Sequence, residues 1–304
     1  MQNLYDTAED VRQSLAQHGY LADRAVSMAV FLALKLETPL FLEGAPGVGK
    51  TFLAQAMANA LGRPLVRLQC YEGIDRESAL YDWNFARQML HIRVVQTIAD
   101  ADRNQLEQEL FSRPFLLRRP LLAAIEPEGP APVLLIDEID RSDEEFEAFL
   151  LELLSEFQVT IPEIGTFRAH EKPLVFLTSN RTREVNDALK RRCLYQWIDY
   201  PDFAREYQIL QAAVPGLPEQ LGQKAVAFAQ QLRQEPLAKL PGLAETVTWA
   251  RALLVLGTQA LDAQQIEDTL GCLLKFRDDI EALTRPDAQG QRALARVMAL
   301  AGVS

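Results

Sequence analysis

The sequence predicts an α/β domain over residues 1–200 followed by an all-helical domain over residues 201–304. Three observations predict it. A glycine-rich stretch, residues 44–51, stands between the apolar run Pro39-Leu40-Phe41-Leu42 and a helical pattern from Phe52 to Leu61. Two further apolar runs, Val133–Ile136 and Leu174–Leu177, end in polar residues, as strands of a parallel sheet covered on both faces do. From Pro201 onward no strand signal remains, only helical spacing broken by Pro and Gly.

The glycine stretch organises the rest. Gly44-Ala45-Pro46-Gly47-Val48-Gly49-Lys50-Thr51 keeps the pattern G-x-x-x-x-G-K-T intact. Glycines let the backbone wrap closely round a polyphosphate with successive N–H groups turned inward. The helix entered at Phe52 presents its positive end to the same anion. In such a loop Lys50 reaches the outer phosphates and the Thr51 hydroxyl holds Mg²⁺. A chance glycine turn would lack the strand before it and the helix after it. The stretch implies binding of a nucleoside triphosphate, ATP or a relative, with Mg²⁺.

Taken in order, Asp6–Gln17 and Ala22–Leu34 have helical spacing, and Pro64–Leu68 reads as a short second strand. Cys70–Glu77 reads as a turn opening a helix. Trp83–Asp102 and Gln105–Phe111 are mixed and amphipathic, without definable ends. Glu126–Pro132 is a breaker segment leading into Val133-Leu134-Leu135-Ile136-Asp137-Glu138-Ile139-Asp140. Carboxylates at the carboxyl end of a buried strand sit where ligands bind in open α/β sheets. Asp137 is placed to take the metal through water, and Glu138 to polarise the attacking water. Seven acidic residues fall from Asp137 to Glu147, and a charge run of this kind is ordinarily a solvated turn. Its position some eighty residues after a complete glycine loop favours the functional reading.

Ser142 with Glu145 three residues on reads as a capping box for a helix whose stripe of Phe146, Phe149, Leu150, Leu153, Leu154 and Phe157 is core packing. Gln158–Ile161 and Thr166–Arg168 read as a hairpin. The strand Leu174–Ser179 ends at Asn180, positioned to orient water between Glu138 and the outer phosphate. Lys190-Arg191-Arg192 closes a short helix before the strand Leu194–Ile198. Cations at a helix end are ordinary, but three exceed what capping needs, and one can serve a neighbour's phosphates. The helical part comprises Asp202–Val214, Pro218–Arg233, Thr246–Leu256, Ala263–Lys275 and Ile280–Leu300.

Composition limits the partners. With 304 residues, 48% hydrophobic and 24% charged, the profile is that of a soluble globular protein of about two domains. No run of 18 apolar residues and no signal peptide is visible, and Cys70, Cys193 and Cys272 read as free thiols in a reducing cytoplasm. The net charge is −11, and residues 201–304 hold 10 basic and 12 acidic residues, so the acidic excess lies in the first 200. A protein dedicated to nucleic acid or an anionic membrane is basic instead.

Together, Gly44–Thr51, Val133–Asp140, the strand ending in Asn180 and the Lys190–Arg192 cluster resemble the ordered signature of an AAA+ ATPase. Within that superfamily Asp137–Arg141, the hairpin at 158–162 and Thr178-Ser179-Asn180 resemble the MoxR branch. Cys70–Gly73, Ala79–Asn84 and Arg192–Pro201 resemble the CoxD-like accessory ATPases of carbon monoxide dehydrogenase-type molybdenum enzymes. The resemblance implies an AAA+ P-loop NTPase with a five-stranded parallel sheet and a helical lid. It implies a homo-oligomeric ring, usually a hexamer, with ATP between subunits. Arg192 matches the family's arginine finger best, with Arg191 adjacent, where Lys-Arg-Arg-Cys replaces the more usual acidic-Arg-Phe. Arg251 matches the lid's second sensor; on an amphipathic helix alone it would be a surface arginine. MoxR-type proteins are similar to chaperones that remodel or insert cofactors into a client complex, with a separate von Willebrand A partner. The implied activity is Mg²⁺-dependent ATP hydrolysis. Its rivals are an ATP-dependent assembly switch and, least favoured by the charge, a DNA-dependent motor.

Overall fold

The computed structural model describes residues 5–96, 109–286 and 291–303. The chain divides into two compact units. The first comprises Met1–His18, Ala22–Glu43 and Thr51–Trp197. The second comprises Gly19–Leu21, Gly44–Lys50 and Ile198–Ser304.

The first unit is built on a five-stranded parallel sheet whose strands are β1 (Leu40–Gly44), β2 (Leu65–Gln69), β5 (Val133–Asp137), β8 (Leu174–Ser179) and β9 (Leu194–Ile198). Their order is β2-β5-β8-β1-β9. The apolar runs occupy the three central strands, each buried along its whole length, because helices cover both faces. At the β2 edge the pattern relaxes to one buried residue, Leu68, between exposed Arg67 and Gln69. Parallel register sets Gln69 beside Asp137, so these two strands release their polar residues at the same end of the sheet. Ser179 lies opposite Glu43 of β1 at that same end.

Helix α3 (Lys50–Leu61) follows the glycine loop and buries Leu53, Ala54 and Met57. Helix α7 (Glu144–Glu156) buries the expected stripe of Phe146, Leu150, Leu153 and Leu154. Its N-cap is Asp143, whose Oδ1 accepts from Phe146 N at 2.8 Å, and not Ser142. The Ser142 hydroxyl donates instead to Ile139 O at 2.8 Å and closes a 3₁₀ turn, so the helix starts one residue later than the capping box predicted. Strands β6 (Gln158–Ile161) and β7 (Gly165–Arg168) form the expected hairpin. A short antiparallel pair, β3 (Tyr81–Trp83) with β4 (Leu116–Arg118), has no counterpart in the sequence reading. Of the mixed stretch after Trp83, Phe85–Gln96 is the helix α5; residues 97–108, including most of Gln105–Phe111, lie outside the described residues.

In the second unit the described residues from Ile198 on form the end of β9 and six helices, Phe203–Ala213, Glu219–Leu232, Leu243–Val255, Ala263–Leu273, Arg277–Thr284 and Ala293–Leu300. They pack round Trp249, which is fully buried, donates its indole N–H to Thr269 Oγ1 at 2.8 Å and lies 5.3 Å from the Phe228 ring. A buried Arg233 forks onto Glu206 at 2.6 and 2.7 Å, the paired arrangement that an interior charge requires. The single helix expected over Ile280–Leu300 is two helices. Pro286 has no N–H to continue the first, and a bridge pairs it with Arg292 before the second begins.

Candidate nucleotide and metal site

The glycine loop is described within the second unit. A Cβ built on Gly44 would lie 2.1 Å from Ile198 O, so only glycine leaves room for the neighbouring strand. Gly47 and Gly49 have φ of +79° and +98°, the left-handed region in which L side chains are strained. Gly47 is also a close packing point. A Cβ on Gly242 would come within 2.8 Å of its Cα, and its carbonyl accepts from Leu243 N at 3.0 Å. The amino end of the Leu243–Val255 helix therefore clasps the loop, with Glu245 Oε2 accepting from Gly242 N at 3.0 Å. Within the loop, Pro46 O accepts from Tyr200 Oη at 3.5 Å and Val48 is buried. Lys50 is 6% exposed, and its Nζ donates to Gly44 O at 2.7 Å and Ala45 O at 2.8 Å. The ammonium is thus folded over the loop's own carbonyls, inside a backbone turn suited to a polyphosphate.

In the first unit, Phe52 is half-exposed on the first turn of α3. The preceding Thr51 donates its hydroxyl to Asp137 at 3.1 Å from Oδ1 and 3.2 Å from Oδ2. Asp137 is 2% exposed and needs partners for its charge. It also accepts from Thr178 Oγ1 at 2.5 Å and from Arg67, at 3.0 Å to Nε and 2.5 Å to Nη2. A carboxylate and a hydroxyl meeting in this way are hard oxygen donors of the kind Mg²⁺ prefers, and they fit that ion. Among the described residues no three His, Cys, Asp or Glu are placed to hold a metal ion together, so an ion here would complete its shell with phosphate and water.

Glu138 follows in a left-handed backbone conformation, φ +55°, which costs a non-glycine residue of order 1–3 kcal/mol and is held by Glu138 N donating to Thr178 Oγ1 at 2.9 Å. Its carboxylate projects into a ring of donors. Gln69 Nε2 lies 3.1 Å and Arg141 Nε 2.9 Å from Oε2, and Asn180 Nδ2 lies 3.4 Å from Oε1. The structure thus brings Thr51, Asp137, Glu138 and Asn180 together at the carboxyl ends of β5 and β8. Sequence reasoning missed Arg67, Gln69, Arg141 and Thr178. The available signal was the exposed–buried–exposed alternation of Arg67-Leu68-Gln69 on an edge strand, which turns two long polar side chains to one face.

Cys70 lies directly behind this corner, its N–H donating to Asp137 O at 2.8 Å. Burial, and then the charges of Asp137, Asp140 and Glu138, push its thiol up to about 12. Burial, followed by its hydrogen bond to Glu43 at 2.8 Å, pushes the Tyr195 hydroxyl up to about 12 as well.

The three cations near residue 190 separate. Lys190 Nζ turns inward, 3.6 Å from buried Glu43 and 5.5 Å from the centre of the Phe41 ring. Arg191 and Arg192 are exposed, and neither guanidinium pairs with a carboxylate among the described residues. Arg251 is not brought to the glycine loop. It sits two turns along the helix whose first residue, Leu243, bonds Gly47 O, and it donates to Ala213 O at 3.2 Å. The helix face turned to the loop carries Gly242 and Glu245.

A glycine loop between strand and helix, with a carboxylate pair at the end of a parallel strand one place removed, defines a P-loop nucleotide-binding fold. Residues 39–193 match the AAA domain of the dynein-related subfamily, and the chain belongs to that family. It is an ATPase, as the P-loop ATPases of this family are. Among solved structures, a mutant of RuvB from Thermotoga maritima is similar at 14% identity and a TM-score of 0.47, covering 99% of this chain and 84% of that one. The RuvB Holliday junction branch migration motor of the same organism is similar at 15% identity and 0.45, covering 97% and 82%. No helix among the described residues is long and apolar enough to cross a membrane.

Proposed function

We propose that the protein is a Mg²⁺-dependent ATP hydrolase of MoxR type, working as a ring whose closure and opening remodel a protein client. Gly44–Thr51 and the first turn at Phe52 hold the phosphates, with Lys50 leaving its loop carbonyls for the outer ones. Thr51 and Asp137 hold Mg²⁺, which when bound neutralises charge on the transferring phosphate. Glu138 accepts a proton from the attacking water, and Asn180 orients that water. Arg192, with Arg191 beside it, reaches the phosphates of the next copy in a homo-oligomer, a hexamer by resemblance. Arg251 keeps the second-sensor role the resemblance gives it, touching the γ-phosphate, for which it leaves Ala213 O.

The observation that carries the reading is the convergence of Thr51, Asp137, Glu138 and Asn180 at one end of the sheet. The exposure of Arg191 and Arg192, whose guanidinium groups pair with no carboxylate among the described residues, supports a role outside their own subunit, since such groups contribute little to folding. The resemblance to CoxD-like ATPases supports a cytoplasmic maturation role on molybdenum hydroxylases that receive a metal cofactor, with a separate von Willebrand A partner. Turnover per subunit measured against protein concentration, with mass photometry on the same samples, tests it. A rate that rises as rings form supports the shared site; a flat rate from monomers removes it.

A further inference from the structure

Arg67 occupies a position no part of the reading above uses. It lies on the edge strand β2, its side chain half-exposed, and both Nε and Nη2 bond the buried Asp137 Oδ2. The single Thr51 hydroxyl proton is shared between the two oxygens and Thr178 donates to Oδ1, so Oδ2 is occupied chiefly by the two bonds from Arg67. Nothing further can bind Oδ2 unless a donor leaves. Thr178 is buried and also holds Glu138 N, so it cannot withdraw without disturbing the strand end. Thr51 is exposed too, but it is itself read as a donor to the ion and stays at the site; of the other donors only Arg67 has solvent to swing into.

The same guanidinium fixes a second residue. Arg67 Nη2 donates to Gln69 Oε1 at 2.5 Å. A guanidinium offers no acceptor, so the amide oxygen must face Arg67 and the amide nitrogen is left to donate to Glu138 Oε2 at 3.1 Å. A continuous chain therefore runs from Asp137 through Arg67 and Gln69 to Glu138. We propose that Arg67 is a resident counter-ion of Asp137 which the divalent metal displaces, and that its departure frees Gln69 and thereby releases Glu138. Arg67 is a positioning residue that couples filling of the metal site to freedom of the base. The inference rests on the reading of Asp137 as the metal-holding carboxylate.

The test is Mn²⁺ binding followed by electron paramagnetic resonance, on the full chain with a non-hydrolysable ATP analogue, with each variant checked for an unchanged melting transition. Arg67→Gln removes the competitor and tightens Mn²⁺ by roughly tenfold, the size of losing hydrogen bonds to a charged group. Gln69→Ala, which touches neither Asp137 nor the ion, tightens Mn²⁺ by a smaller factor, about two- to fivefold, because Arg67 is then held less firmly. The double variant matches Arg67→Gln alone. Arg67→Lys, which keeps one charge but cannot span both partners, falls between wild type and Arg67→Gln and carries the test should the glutamine variant misfold. Asp137→Asn abolishes Mn²⁺ binding. Unchanged or weaker Mn²⁺ binding in Arg67→Gln, in a protein where Asp137→Asn abolishes it, overturns the counter-ion; no effect of Gln69→Ala overturns the coupling. If Asp137→Asn binds Mn²⁺ as wild type does, the metal-site reading falls and takes this inference with it.

Discussion

The Asp137–Glu138 corner and the Lys190–Arg192 turn belong to the same compact unit and carry opposite charge, yet their conditions differ. At the corner all four carboxylate oxygens have donors, supplied by β2, α3, β8 and the turn after β5. At the turn Lys190 faces Glu43, and the two arginines are exposed and pair with no carboxylate among the described residues. On the proposed reading, the contrast is between the half of a phosphate-transfer site organised within the chain and the half that faces outward. A buried carboxylate must be paired where it stands, whereas an arginine meant for another molecule's phosphates must stay unpaired until that molecule arrives.

Variants at the two places sharpen the contrast. Arg192→Ala is expected to lower turnover by about 10³–10⁵ while ATP binding, followed with a fluorescent analogue, is kept. Near-normal turnover in that variant would mean the outward cations have no part in hydrolysis. Glu138→Gln is expected to lower turnover by about 10²–10⁴, also with binding intact. A loss of binding there would show that the corner holds nucleotide instead of activating water.

Smaller effects probe how the corner is built. Asp143→Ala removes the cap of the helix that follows it and is expected to cost about 1 kcal/mol in a denaturant melt; Ser142→Ala, at the residue the sequence nominated, leaves the Phe146 N–H cap in place. An equal loss of that capping bond in both would contradict the observed cap. Cys70 should resist alkylation in the native protein. Thiolate is the reactive form, and with the thiol pushed up to about 12 it is protonated throughout the usual working range. At pH 8 roughly one molecule in 10⁴ carries the thiolate, and the fraction rises tenfold per pH unit. Rapid labelling at pH 8 would show that the corner opens far more readily than its packing allows.

Much of this was legible before any coordinates. The glycine loop, the strand ends at Asp137 and Asn180 and the helical stripe of Phe146 to Leu154 follow from local pattern, because each is dictated by backbone conformation or by burial on a fixed face. The partners of the carboxylates were not legible. Arg67 and Gln69 meet Asp137 and Glu138 only through the register of β2 on β5, a relation between segments some seventy residues apart. The cap moved from Ser142 to Asp143 because a 3₁₀ turn intervened, and Ile280–Leu300 broke at Pro286, where the helical spacing on either side masked the interruption. The second-sensor role of Arg251 came from the resemblance alone, since position along a helix says little about which end meets the loop.

The most direct test of the central claim mixes two inactive variants. Glu138→Gln lacks the base and keeps Arg192; Arg192→Ala lacks the cation and keeps the base. If the site is completed by a neighbouring copy, some interfaces in the mixture join an intact base to an intact arginine, and ATP turnover returns well above that of either variant alone. A mixture as inactive as its components, in samples where mass photometry shows the two chains assembled together, would contradict a site shared between subunits.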